Sequence, residues 1–177
     1  PRTFNITAIA VNDVPTFTKG SDQSIVEDAL PQTIPGWATG ISAGAANESS
    51  QVLKFIITGN SNPGLFNVAP AIAPNGTLTY TLSPNANGVA NITVILTDQA
   101  GTTNGGVDTT GPQTFRISAS ASPDAPTDLS ISNTTILENQ SSGSPVGNFT
   151  TLDVDLPNET FTYSLVSGLG GADNAAF

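Results

Sequence analysis

An all-β fold, made of antiparallel sandwich modules in tandem, is predicted by three observations. The stretch 112–139 (PQTFRISASASPDAPTDLSISNTTILEN) repeats the stretch 1–28 (PRTFNITAIAVNDVPTFTKGSDQSIVED) at a constant offset of 111, without a gap and with 12 of 28 positions identical. The shared residues include Thr3/Thr114, Phe4/Phe115, Ile6/Ile117, Ala8/Ala119, Asp13/Asp124, Pro15/Pro126 and Glu27/Glu138, which marks a tandem array rather than a chance match. Apolar residues alternate with period two over short stretches, as in strands with one buried face. Nowhere do they recur at helical spacing over a helix length, and Gly, Pro and Asn separate the stretches.

Taken in order, Phe4, Ile6, Ala8 and Ala10 alternate with Thr3, Asn5, Thr7 and Ile9, which predicts a strand over Arg2–Ala10. Asn12-Asp13-Val14-Pro15 breaks it, because proline forces extension on the residue before it. Thr16–Lys19 and Ser24–Val26 read as a split first strand, and Leu30–Ile41 as a Pro/Gly-interrupted segment that carries the only tryptophan, Trp37. Further strands are expected at Val52–Thr58, Leu65–Val68, Gly76–Leu82, Val89–Thr97 and Gln113–Ala121. The Asn75-Gly76 pair signals a turn. After Pro126 the pattern restarts, with strands expected near Leu129–Leu137, Val146–Leu152 and Thr160–Val166.

The organisation expected is therefore a last strand of a preceding module, or a donor strand, at 1–12; a complete sandwich at 13–123; and the first half of a second at 124–177. Such a chain is a window on a longer polypeptide or a protomer that borrows strands from its neighbours. Half a sandwich leaves an apolar face and open strand edges that something must cover.

Composition excludes several functions. Net charge is −10 and the four basic residues are Arg2, Lys19, Lys54 and Arg116. Nucleic-acid binding needs clustered Lys and Arg to neutralise phosphates, and anionic membrane surfaces are disfavoured for the same reason. No apolar run is long enough to span a bilayer as a helix. The absence of Cys and His removes disulfides, thiol chemistry, imidazole ligands and the Ser-His-Asp and Cys-His arrangements. There is no Gly-rich phosphate loop with a lysine. The pair Glu27/Asp28 recurs as Glu138/Asn139 at a strand end, which suits architecture better than acid–base work. The chain is read as no enzyme. Its Thr-, Asn- and Gly-rich, acidic composition fits the outside of a microbial cell.

The segments DAPTDLSISNTTILEN, FTYSLVSGLGGADNAAF and NGTLTYTLSPNANGVANITVILTDQAG resemble the cadherin-like and Ig-like tandem repeats of large bacterial extracellular, adhesin-type surface proteins. The resemblance covers essentially the whole chain. It implies Greek-key β-sandwiches strung into rods, stiffened in many members by Ca²⁺ at the junctions. By that resemblance the ligands at the second junction are Glu27, Asp124, Asp153 and Asp155. At the first they are Asn12, Asp13 and Asp98, while Glu138 faces a third. Ser42 and Gly44 stand where the second module has Asp153 and Asp155. Calcium wants six to eight oxygens, so the first junction is expected to have lost its metal and the second to keep one ion. The competing reading makes these carboxylates turn-formers and solvated surface.

Eight Asn-x-Ser/Thr sequons occur, at Asn5, Asn47, Asn75, Asn91, Asn133, Asn139, Asn148 and Asn158. They are candidate glycan acceptors, although a chain this rich in Asn, Ser and Thr makes some by accident. Trp37 is expected in the core. The alternative is a carbohydrate-stacking platform with Tyr80 or Tyr163, in a binding module or an accessory domain of a secreted hydrolase. The leading expectation is a structural and adhesive repeat that stacks end to end as a stalk or filament, with neighbouring copies as partners, and that polymerises by strand complementation.

Overall fold

The computed structural model describes residues 2–157 and 159–167. The chain divides into two compact units, Pro1–Ser122 and Pro123–Phe177.

The first unit is a β-sandwich. Its strands are β1 (Thr16–Thr18), β2 (Gln23–Val26), β3 (Gln32–Ile34), β4 (Thr39–Ser42), β5 (Lys54–Asn60), β6 (Phe66–Ile72), β7 (Leu78–Leu82), β8 (Gly88–Thr97) and β9 (Gln113–Ser120). One sheet has the order β2-β9-β8-β5 and the other β3-β7-β6, while β1 pairs with β4. The split first strand is present, since β1 lies on β4 and β2 in the four-stranded sheet. The sheets are not purely antiparallel as expected, because β2 runs parallel to β9, with Gln23 opposite Ile117 and Val26 opposite Ser120. The reason lies in the split: β2 is released from β4 and joins the opposite sheet, against a closing strand that runs the same way.

Period-two patterning becomes the core directly. Ala90, Ile92, Val94 and Leu96 of β8, Phe115, Ile117 and Ala119 of β9, and Leu78, Tyr80 and Leu82 of β7 are all buried. Burying a large apolar side chain stabilises by about 1.5–3 kcal/mol each. Trp37 joins this core, its ring 4.3 Å from that of Phe115. Phe17 meets Phe55 edge-on at 5.1 Å. The Asn75-Gly76 turn forms where expected, with Gly76 at φ +83. A Cβ at Gly76 would collide with the Ala38 carbonyl, so glycine is required for space as well as conformation.

Residues 2–10 form no strand, contrary to expectation. Their alternation repeats β9, yet a strand exists only when a partner accepts its hydrogen bonds, and among the described residues none pairs with them. Phe4 is 81 % and Ile6 86 % exposed.

The second unit contains β10 (Asp128–Ile131) and β11 (Phe149–Leu152), paired antiparallel with Asp128 opposite Leu152 and Ile131 opposite Phe149. Both are shorter than the stretches Leu129–Leu137 and Val146–Leu152. Residues 160–166 form no strand. Tyr163 instead stacks on Phe149 with centroids 4.8 Å apart, and its hydroxyl shares a hydrogen bond with that of Thr151. Among the described residues of this unit only Asp153 is buried.

Candidate metal centre

The loop that follows β11 carries three carboxylates. One carboxylate oxygen from each of Asp153, Asp155 and Glu159 lies within 4.8 Å of the others. Two oxygens each about 2.4 Å from a shared calcium-sized ion are at most about 4.8 Å apart, so these residues could hold a metal ion. Local folding builds the group. Asp153 Oδ1 accepts the Asp155 N–H at 2.8 Å, closing an Asx turn. Asp155 Oδ2 accepts the Asp124 N–H at 2.6 Å, which ties the loop to the start of the unit.

One atom points to a ligand more directly. Asp153 is 8 % exposed, and its Oδ2 is buried with no hydrogen-bond partner. Leaving a buried carboxylate oxygen unsatisfied is costly, and a cation removes that cost. Glu159 feels the same crowding. Its partial burial, and then the carboxylates of Asp155, Asp153 and Asp124, push its carboxyl above the ordinary glutamate value. A divalent cation is the natural partner for a carboxyl crowded by other carboxylates in this way.

Of the residues expected at this centre, Asp153 and Asp155 come together and Asp124 contributes its backbone N–H. Glu159 was not foreseen. Glu27 belongs to the first unit, where it is buried and both oxygens are engaged. Oε1 accepts the Ser122 N–H at 2.7 Å and Oε2 the Asn87 amide at 3.0 Å. Its carboxylate ties the end of β2 to the chain leaving β9. Glu138, its equivalent, is exposed.

The set Asn12, Asp13 and Asp98 lies in the first unit. Asp98 is buried. The Asn12 amide donates to both its carboxylate oxygens at 3.1 Å and to the Val107 carbonyl at 3.0 Å. Asn12 Oδ1 accepts from Gln51, so these partners fix the amide's orientation. A neutral donor thus faces the Asp98 carboxylate, and the Ala100 N–H adds a second. Asp13 enters through its N–H, which donates to Glu48 Oε1 at 3.0 Å.

Glu48 is the residue the sequence reading missed. It is buried, and its other oxygen accepts the Ala45 N–H. The signal was available, because Glu48 sits 111 before Glu159. Ser42, Gly44 and Glu48 therefore form the same loop as Asp153, Asp155 and Glu159. Ser42 Oγ accepts the Gly44 N–H just as Asp153 accepts that of Asp155.

Trp37 does not serve as a sugar platform. It is 4 % exposed and its indole N–H donates to the Ser21 carbonyl, so no face is open for stacking. Tyr80 is buried as well. The sequon residues Asn5, Asn47, Asn75, Asn91, Asn133, Asn139 and Asn148 are all exposed, and Asn158 lies outside the described residues.

A comparison with protein-family models finds no match to this chain. A comparison with curated proteins finds none either.

Proposed function

We propose that this chain is a non-catalytic structural and adhesive repeat of an extracellular microbial surface protein, of the cadherin-like or Ig-like kind that its sequence resembles, strung in copies as a stalk or filament. The observation that carries this reading is the ungapped repeat at offset 111, whose junction sequence recurs with its strand, acidic Pro-containing turn and strand in the same order. Repetition of whole modules serves length and spacing. The lack of His and Cys is in keeping with a role that needs no reacting group.

Within this reading the ion at Asp153, Asp155 and Glu159 is Ca²⁺. The donors are all oxygen, and calcium tolerates irregular geometry and completes its shell with backbone carbonyls and water. Bound calcium would fix the loop after β11 and neutralise its charge. Exposed sequon asparagines would carry glycans in a host that glycosylates exported chains.

Electron microscopy of the purified chain in millimolar calcium, and again after chelation, tests the proposal. Extended rods or filaments with a regular repeat are expected, and chelation should bend or shorten them. Compact single particles that ignore calcium would overturn the reading.

A further inference from the structure

The strand that closes the first sandwich occurs twice in this sequence. β9 packs Phe115, Ile117 and Ala119 into the core. Residues 2–9 repeat β9 at offset 111, with Phe4, Ile6 and Ala8 in the same places. These side chains are exposed, and among the described residues no strand pairs with 2–9. The strand that receives β9 is also repeated. Gln23–Val26 return as Thr134–Leu137, with isoleucine kept at 25 and 136. Among the described residues no strand pairs with 134–137, where the Asn133 side chain accepts the Thr135 N–H and donates to the Thr135 carbonyl. Ile136 and Leu137 are exposed and line an open groove of ≈ 530 Å³ with Val146. Both halves of the β2–β9 pair thus recur in the sequence, and among the described residues neither is paired.

We infer that residues 2–9 of one copy dock on residues 134–137 of a second copy, as β9 docks on β2, so that copies of this chain join by donating a strand. This rests on the repeat reading above and names its partner. The β2–β9 register fixes the new one. Ile6 lies opposite Thr134, Thr7 opposite Thr135, Ala8 opposite Ile136 and Ile9 opposite Leu137. Main-chain hydrogen bonds supply affinity and alternate side chains specificity. Period two makes the register strict, because a slip of one residue would turn Phe4, Ile6 and Ala8 away from the apolar side. The described residues of the second unit bury a single aspartate and no apolar side chain, so a donated strand has apolar surface to cover.

The chain has no cysteine, so introduced thiols report the register cleanly. An Ala8→Cys chain mixed with an Ile136→Cys chain under mild oxidation should give a cross-linked dimer. Replacing the first by Thr7→Cys, on the opposite face, should lower the yield about tenfold. Equal yields, or no cross-link from either pair, would overturn the inference. So would a chain carrying both Ala8→Cys and Ile136→Cys that links only within itself. The exposed-site change Ile6→Asp should weaken association about tenfold by light scattering while the unfolding midpoint of the first unit stays fixed; unchanged association counts against strand donation. Calcium-dependent rods without the cross-link would leave the stalk reading standing and remove this one. The cross-link without rods would do the reverse.

Discussion

Residues 42–48 of the first unit and residues 153–157 and 159 of the second occupy equivalent places in the repeat, and they meet the same backbone demand with different chemistry. In the first, the buried Glu48 carboxylate takes the N–H groups of Asp13 and Ala45. Gly44, at φ +132, makes room for it, and a Cβ there would collide with Glu48. In the second, Asp155 takes the N–H of Asp124, while Asp153 presents a buried oxygen without a partner. The turn that a repeat conserves is thus separable from the charge it carries. Among the five positions at which the loops differ, serine and glycine against two aspartates distinguish a loop satisfied by its own glutamate from one that could hold a cation.

A second contrast lies within the first unit, between β9 and its exposed copy at residues 2–9, and it carries the largest effect expected. Phe115→Ala should destabilise the first unit by about 3–5 kcal/mol, whereas Phe4→Ala, the same residue of the exposed copy, should change it by less than about 0.5 kcal/mol. Urea unfolding followed by Trp37 fluorescence measures both, and comparable losses would break the comparison. Next comes the repeated glutamate. Glu27→Ala strands the Ser122 N–H and the Asn87 amide and should cost about 1–3 kcal/mol, while Glu138→Ala should lie within about 0.5 kcal/mol of the parent.

Exchanging the loops sharpens the comparison further. Asp153→Ser with Asp155→Gly should lower calcium affinity by at least about tenfold in calorimetric titration. Ser42→Asp alone should not confer binding on the first unit, because Glu48 remains committed to two N–H groups. The smallest effect is in pH. A raised Glu159 pKa means that the native second unit holds its proton more tightly than the unfolded chain does. Without calcium, stability should therefore rise as pH falls through that raised value toward the ordinary glutamate one, and fall as pH climbs back. Calcium affinity should drop over the same window, because protons compete. Glu159→Gln should flatten both trends, as amide exchange across β11 would record.

Much of the first unit was legible because its strands alternate cleanly. Every apolar position of 90–96 and 115–119 on the expected face is buried. Residues 2–10 carry the same letters and form no strand, since alternation describes a face and cannot supply a neighbour. The stretch 160–166 fails as a strand for a related reason, with Tyr163 engaged by Phe149 and Thr151 through side chains instead of backbone. The parallel β2–β9 pair was beyond pattern reading, because period two is indifferent to strand direction. At the metal centre, Asp153 and Asp155 were visible as a short acidic motif. Glu159 and Glu48 were hidden by distance along the loop, although the offset that revealed the repeat also aligns them.

The parallel pairing of β2 with β9 has a mechanical consequence. The incoming chain enters β2 at its first residue, and the outgoing chain leaves β9 at its last. In a parallel pair those points lie at opposite ends, so tension along the polypeptide drags the strands lengthwise past each other. All the hydrogen bonds between Gln23–Val26 and Ile117–Ser120, and the bridge from the Glu27 N–H to the Ser120 carbonyl, must then yield together instead of peeling apart one by one. A module closed in this way should resist stretching more than one whose end strands unzip residue by residue.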